Sequence, residues 1–171
     1  MTVETTNIQA RYRLNTDRLR KLAAFLLRLA ARRQPRGPWD DIGVVLTDDS
    51  GMAAVNRVCL SRDGATDVIS LAYRPIPGDD QPRRGEIIVN VQRAVDAASS
   101  RRSWGPSKEL ALYVAHGFDH LSGGRDRTSK GRARMRRTEL RWLKEAGTAG
   151  LTRGLIRHNQ ARPAGNDTKL P

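Results

Sequence analysis

Apolar residues recur along this chain at two spacings, and the switches between them mark its elements. Thr2 to Leu14 is polar, with Val3, Ile8 and Tyr12 interspersed, and reads as a strand. Asp17 reads as the cap of a helix from about Arg18 to Arg33, where Leu19, Leu22, Phe25, Leu26 and Leu29 form one stripe at i, i+3, i+4 spacing. Gln34 to Pro38 breaks it. Ile42 to Leu46 is a short strand, and Asp48-Asp49-Ser50 caps a helix over roughly Gly51 to Leu60 with Met52, Val55 and Cys59 on one side. After a turn at Arg62 to Ala65, Val68 to Tyr73 is a strand, Pro75 to Arg84 a loop, and Glu86 to Val91 a strand whose unbroken apolar run suits burial on both faces. Three helices follow, over about Gln92 to Ser100, Lys108 to Leu121 and Ser129 to Ala146. Pro106 opens the second of them and Gly123-Gly124 ends it.

Strands and helices alternating in this way predict an α/β (α+β) sandwich, with a mixed β-sheet of about four strands packed with about five helices. The 171 residues fit one domain over 1–149, and 150–171, short of apolar periodicity, reads as a loose basic tail. A hydrophobic share of 38% is enough for one core and argues against disorder throughout, while an aromatic share of 5% points to aliphatic packing. The single cysteine, Cys59, excludes an internal disulfide framework and suits a reducing compartment. The longest apolar run, Leu22 to Ala31, is broken by Arg28 and falls short of the ~18 residues of a membrane span. Met1 to Tyr12 lacks the apolar core of a signal peptide. The expectation is a cytoplasmic protein with no membrane partner.

Charge changes the picture. The formal net charge is +13, and it is lopsided: residues 1–100 carry +3 and residues 101–171 carry +10. Such asymmetry points to a polyanion, nucleic acid first, although a solvated basic face accounts for the same composition. Nine basic residues lie between Arg125 and Lys144 against Asp126 and Glu139, with Met135, Leu140 and Leu143 supplying the apolar side of the helix.

The chemistry concentrates on the helix before Gly123. His116 and His120, spaced by four, put two imidazoles on one face a turn apart, an arrangement suited to a single cation. If the chain doubles back at the glycines, the carboxylate of Asp126 meets them. Two nitrogens and one oxygen leave a position open, as catalytic zinc sites do. Two histidines at this spacing also occur as half-buried polar residues with no metal. Leu110, Val114, Phe118 and Leu121 mark a core helix, which places the pair at a broken end where a cleft is expected. Asp119 reads as solvent-facing or as a supporting group rather than a ligand, and His158 as exposed in the tail. Gly117 stands where a zinc protease has its glutamate, which disfavours peptide hydrolysis.

His116-Gly117-Phe118-Asp119-His120-Leu121-Ser122-Gly123 with Asp126 resembles the HGxLHLxGxxH signature of the YbeY family, metal-dependent endoribonucleases of bacterial ribosomal RNA maturation. Asn56 to Leu71 is similar to a second family stretch, through Asn56, Asp63, Thr66, Asp67, Val68 and Ser70. Gly85-Glu86-Ile87-Ile88-Val89 and Glu109-Leu110 follow in the family's order. The resemblance covers about residues 40–145. It implies a zinc ion held by His116, His120 and Asp126, a single-stranded RNA substrate, and partnership with rRNA and the small ribosomal subunit in rRNA 3′-end processing, maturation and quality control.

Asp126 replaces the usual third histidine, which also suits Fe(II) or Mn(II). Leu60 stands where many members carry an arginine thought to hold phosphate. Arg57 or Arg62 is a candidate substitute, with Arg125, Arg132 and Arg136 as further RNA-binding candidates. The alternative is a non-catalytic rRNA-binding assembly factor with a structural metal.

Overall fold

The computed structural model describes residues 2–33, 39–73, 83–100 and 104–157. The breaker at 34–38, residues 75–82 of the charged loop, His158 and the tail from 158 onward lie outside the described residues. Four strands and five helices follow in the order β1 (Thr2–Asn7), α1 (Thr16–Ala31), β2 (Asp41–Thr47), α2 (Asp49–Leu60), β3 (Val68–Ala72), β4 (Arg84–Asn90), α3 (Val91–Ser99), α4 (Pro106–Leu121) and α5 (Ser129–Thr148). The strands form one mixed sheet in the order β1-β2-β4-β3, with β1, β2 and β4 parallel and β3 antiparallel to β4. No helix among the described residues is long and apolar enough to cross a membrane.

Alternation along the strands divides the core. Ile42, Val44, Leu46, Ile87 and Val89 face one side and pack with α1, α3, α4 and α5, while Ile88 and Ile69 face the other and pack with Met52 of α2. Burial on both faces is what the unbroken run in β4 demands. Within the larger layer, α4 is central. Its Leu110, Ala111, Val114, Ala115 and Phe118 are all buried to within a few per cent, and it touches the sheet as well as α1, α3 and α5. At Gly117 the helix comes so close to β4 that an added Cβ would overlap Cγ2 of Ile87.

Three sequence expectations need correction at the termini. The first strand stops at Asn7 rather than Leu14, because the chain turns there: the Gln9 side chain bonds Asn7 Oδ1, the Tyr12 carbonyl and the Tyr12 N–H. Helix α1 is capped by Asn15, whose side chain accepts from the Arg18 N–H, and not by Asp17, which lies inside the first turn. The basic tail does not begin at 150. Residues 150–157 fold back: Leu155 is fully buried, Ile156 pairs with Leu14, and the Leu155 and Ile156 N–H groups donate to Ser107 Oγ at 3.2 and 3.1 Å. Leu151, Leu155 and Ile156 are the apolar anchors that a reading by average composition dilutes.

That correction is measurable. Leu155→Ala is expected to lower unfolding stability in urea by about 2–4 kcal/mol, as cavity-forming substitutions of fully buried leucines do. Val58→Ala, at a position 83% exposed, is expected to stay within about 0.5 kcal/mol. Equal effects from the two would return 150–157 to the status of a tail.

Candidate metal centre

Helix α4 ends at the site. Ser122 caps it, and Gly123 takes a φ of +91°, a left-handed conformation that reverses the chain after the last turn. Reversal lets the Gly123 and Gly124 N–H groups bond the carbonyls of His120 and Asp119, and it carries Asp126 back over the helix end. The donor atoms of His116, His120 and Asp126 then lie within 4.8 Å of one another.

Each imidazole is held by its outer nitrogen. His116 Nδ1 lies 2.6 Å from Glu139 Oε1, and His120 Nδ1 lies 3.3 Å from the carbonyl oxygen of Gly124. Both acceptors call for a proton on Nδ1, which leaves each Nε2 with a lone pair. Those two Nε2 atoms face each other at 3.1 Å. With both rings neutral in this tautomer two lone pairs face each other, an arrangement that a shared cation, a proton or a metal ion, resolves. Two nitrogens bound tetrahedrally to zinc stand about 3.3 Å apart, given Zn–N bonds of roughly 2.0–2.1 Å. Asp126 Oδ2 is 4.0 Å from His120 Nε2 on a half-exposed side chain, close enough to join them by a small rotation. The residues present therefore fit a divalent metal.

Glu139, which the sequence offered only as one acid in a basic stretch, carries much of this arrangement. It sits on the buried stripe of α5 with Met135, Trp142 and Ala146 and is 4% exposed. Burial works against a charged His116, but the hydrogen bond and charge of Glu139, with the charges of Asp67 and Asp126, outweigh it and raise the pKa above the ordinary histidine value. A carboxylate behind a ligating imidazole fixes its orientation and makes it a stronger donor.

Asp119 is not solvent-facing. It is fully buried, and its Oδ1 accepts from Arg33 Nη1 at 2.8 Å; the Arg33 guanidinium also lies 5.7 Å from the centre of the Trp142 ring. Burial raises the Asp119 pKa and Arg33 pulls it back. The signal was in the spacing: Leu112, Ala115 and Asp119 lie on one buried stripe of α4.

Two cavities flank the histidines. One, of about 440 Å³, is lined by Leu60, Arg62, Ser70, Ala72, His120 and Gly123; the other, of about 270 Å³, by Asp67, Glu109, Tyr113, His116, Arg136 and Glu139 among others. The RNA-binding candidates separate accordingly. Arg62 lines the His120 cavity beside the exposed Leu60. Arg57 stands off on α2, 3.4 Å from Asp63. Arg125 lines a smaller cavity with Arg33 and Arg134. Arg132 is occupied with the loop itself, donating to the Asp126 carbonyl at 3.0 Å and to Ser129 Oγ at 3.3 Å. Arg136 reaches Glu139 at 3.9 Å. The second motif borders both cavities, Val68 and Ser70 on the His120 side and Asp67 on the His116 side: Asn56 Nδ2 donates to the Gly64 carbonyl, Asp67 accepts from Thr66 and Val68, and Ser70 Oγ donates to the Gly117 carbonyl.

A family model described as Endoribonuclease YbeY matches residues 4–147. A Rhodopirellula baltica protein named Endoribonuclease YbeY is 34% identical over 135 residues, covering 78% of this chain and 66% of that protein. A Geobacter sulfurreducens protein of the same name is 33% identical over 145 residues, covering 82% and 91%. In fold, the chain is similar to a Thermotoga maritima protein solved in solution, with a TM-score of 0.58 at 19% identity over 94% of this chain and 100% of that one.

The buried pair yields a test of what holds the turn. Arg33→Met strands the Asp119 carboxylate and is expected to cost about 3 kcal/mol of unfolding stability, whereas Arg33→Met with Asp119→Leu is expected to recover most of it. A double variant as unstable as the single one would show that charge pairing at Asp119 is not what matters there.

Proposed function

The chain belongs to the endoribonuclease YbeY family, and on that footing we propose that it is a metal-dependent endoribonuclease that hydrolyses single-stranded RNA. His116 Nε2, His120 Nε2 and an Asp126 carboxylate oxygen hold one divalent cation, zinc by the nitrogen-rich donor set. The observation that carries this is the pair of Nε2 atoms facing each other at 3.1 Å while both Nδ1 atoms are engaged elsewhere. Such a cation supplies Lewis acidity toward a phosphoryl oxygen and toward water.

The chain's own residues do the rest. Glu139 keeps the His116 proton on Nδ1 and the ring in place. The Gly124 carbonyl does the same for His120. The cavity beside His120 receives the strand, with Arg62 placed to meet a phosphate and Ser70 tying the wall to α4. In the hydrolysis a water oxygen adds to phosphorus, one P–O bond breaks, and the departing oxygen takes up a proton. Phosphate contacts of this kind hold RNA without reading its sequence. The substrate in the cell is rRNA of the small ribosomal subunit, processed at its 3′ end in the cytoplasm, in keeping with the +13 charge and the family.

One observation favours a second reading, an rRNA-binding assembly factor whose metal is structural. Leu60, 43% exposed, puts an apolar side chain into the His120 cavity, so Arg62 is left to meet phosphate there without a second arginine at position 60.

Metal analysis and cleavage separate them. Wild-type protein is expected to carry about one metal ion per chain and to cleave single-stranded RNA in a chelator-sensitive way, with His116→Ala and His120→Ala losing both. Glu139→Gln is expected to weaken zinc affinity by about 10–100-fold, the usual effect of losing a carboxylate behind a ligating histidine. Metal-loaded protein that binds RNA and cleaves none would leave the assembly factor. Full metal content in both histidine variants would remove the site.

A further inference from the structure

A cavity of about 670 Å³ opens at the end of α4 far from the histidines, and Trp104, Lys108, Leu140, Lys144 and Arg153 contribute to its lining. Part of its wall is the segment just after α5, beyond the residues that match the family model. That segment is fastened from two sides. Arg18 donates through Nη2 to the Gly150 carbonyl at 2.6 Å and through Nε to the Arg153 carbonyl at 2.9 Å, and the chain then runs into the buried Leu155 and its bonds to Ser107.

The lining is chemically one-sided. Three cations border it, and among the described residues that line it there is no Asp or Glu. The Lys108 ammonium stands 4.0 Å from the centre of the Trp104 ring. Leu140, an exposed apolar side chain, joins the indole in the apolar part of the lining. Like charges gathered over an apolar concavity repel, and an anion with a flat apolar body relieves that repulsion while covering the wall. The volume lies within the range of pockets for small ligands, roughly 300–1,000 Å³.

The cavity also lies in line with the metal centre. Lys108 precedes His116 on α4 by eight residues, about 12 Å of helix rise. Across from them on α5, Lys144 and Arg136 are spaced alike, and Arg136 reaches both ends: its guanidinium lies 5.9 Å from the Trp104 ring centre and 3.9 Å from Glu139. We propose that this pocket holds one nucleotide of the RNA strand a few positions from the scissile bond, with its base on the Trp104–Leu140 wall and its phosphate among Lys108, Lys144 and Arg153. The naming of the strand rests on the endoribonuclease reading; the demand for a flat anion does not. A free nucleotide has the same chemistry, so the test separates the two sources.

The test follows the indole N–H resonance of Trp104 in zinc-loaded, ¹⁵N-labelled protein, assigned with Trp104→Phe, during titration with AMP and, separately, with a phosphorothioate uridylate octamer. The octamer is expected to shift the resonance, and the Lys144→Gln, Arg153→Gln double variant is expected to bind the octamer about fivefold or more weakly with a shallower salt dependence, at unchanged zinc content. A shift with AMP and none with the octamer overturns the strand assignment. No shift with either, or unchanged octamer affinity in the double variant, overturns the pocket. Chelator-sensitive cleavage of ordinary RNA is scored alongside: cleavage with an unmoved Trp104 contradicts the pocket alone, and an octamer-shifted Trp104 without cleavage supports the pocket while contradicting the nuclease.

Discussion

The absence of a side chain at position 117 governs how this molecule is put together. Helix α4 lies against β4 so closely that a methyl group there would overlap Ile87, and this contact sets both the depth and the rotation of the helix. With the 117 face pressed on the sheet, the adjoining histidines are turned toward α5 and the chain reversal at Gly123. Ser70 on β3 adds a hydrogen bond to the Gly117 carbonyl from the sheet side. Close packing of small against branched residues thus serves as a positioning device: the sheet holds the helix, and the helix holds the imidazoles.

Around that axis, two buried carboxylates are each met by a partner from another part of the chain. Glu139 meets His116 and Asp119 meets Arg33, and each pair joins α4 to a different neighbour, α5 in one case and the end of α1 in the other. A buried carboxylate without such a partner would cost several kcal/mol. The pairs therefore restrict the helix end to one arrangement, in which the outer nitrogens of both histidines are occupied and the inner ones face each other. The opposite end of α4 is treated differently. There cations gather over an apolar wall without an acidic lining residue among those described, which makes the groove between α4 and α5 strongly asymmetric in charge along its length.

Much of this was legible in the sequence, for physical reasons. The i, i+4 spacing of His116 and His120, the glycine break and the return to Asp126 are local features, and local geometry decides them. The alternation of strands and amphipathic helices gave the layer architecture in the same way. What was not legible depended on distant partners. Glu139 lies 23 residues from His116, and nothing local distinguishes it from a solvated acid on a basic helix. Asp119 is different: its place on the stripe of Leu112 and Ala115 announced burial, but the arginine that makes burial tolerable, Arg33, comes from the turn after α1. Residues 150–157 were obscured because three apolar anchors among glycines and arginines carry no periodicity, and distant mates, Leu14, Arg18 and Ser107 among them, give them a structure.

The central claim is that one distant partner, Glu139, and one local partner, the Gly124 carbonyl, place both Nδ1 protons so that both Nε2 atoms are free for one cation. The most direct measurement is the ¹⁵N–¹H correlation spectrum of the imidazole rings in zinc-loaded protein. The account predicts that His116 and His120 both show a protonated Nδ1 and a zinc-shifted Nε2, and that Glu139→Gln disturbs the first ring while leaving the second in place. Zinc ligation through Nδ1 of either histidine, or rings whose spectra are unchanged by zinc, would contradict it.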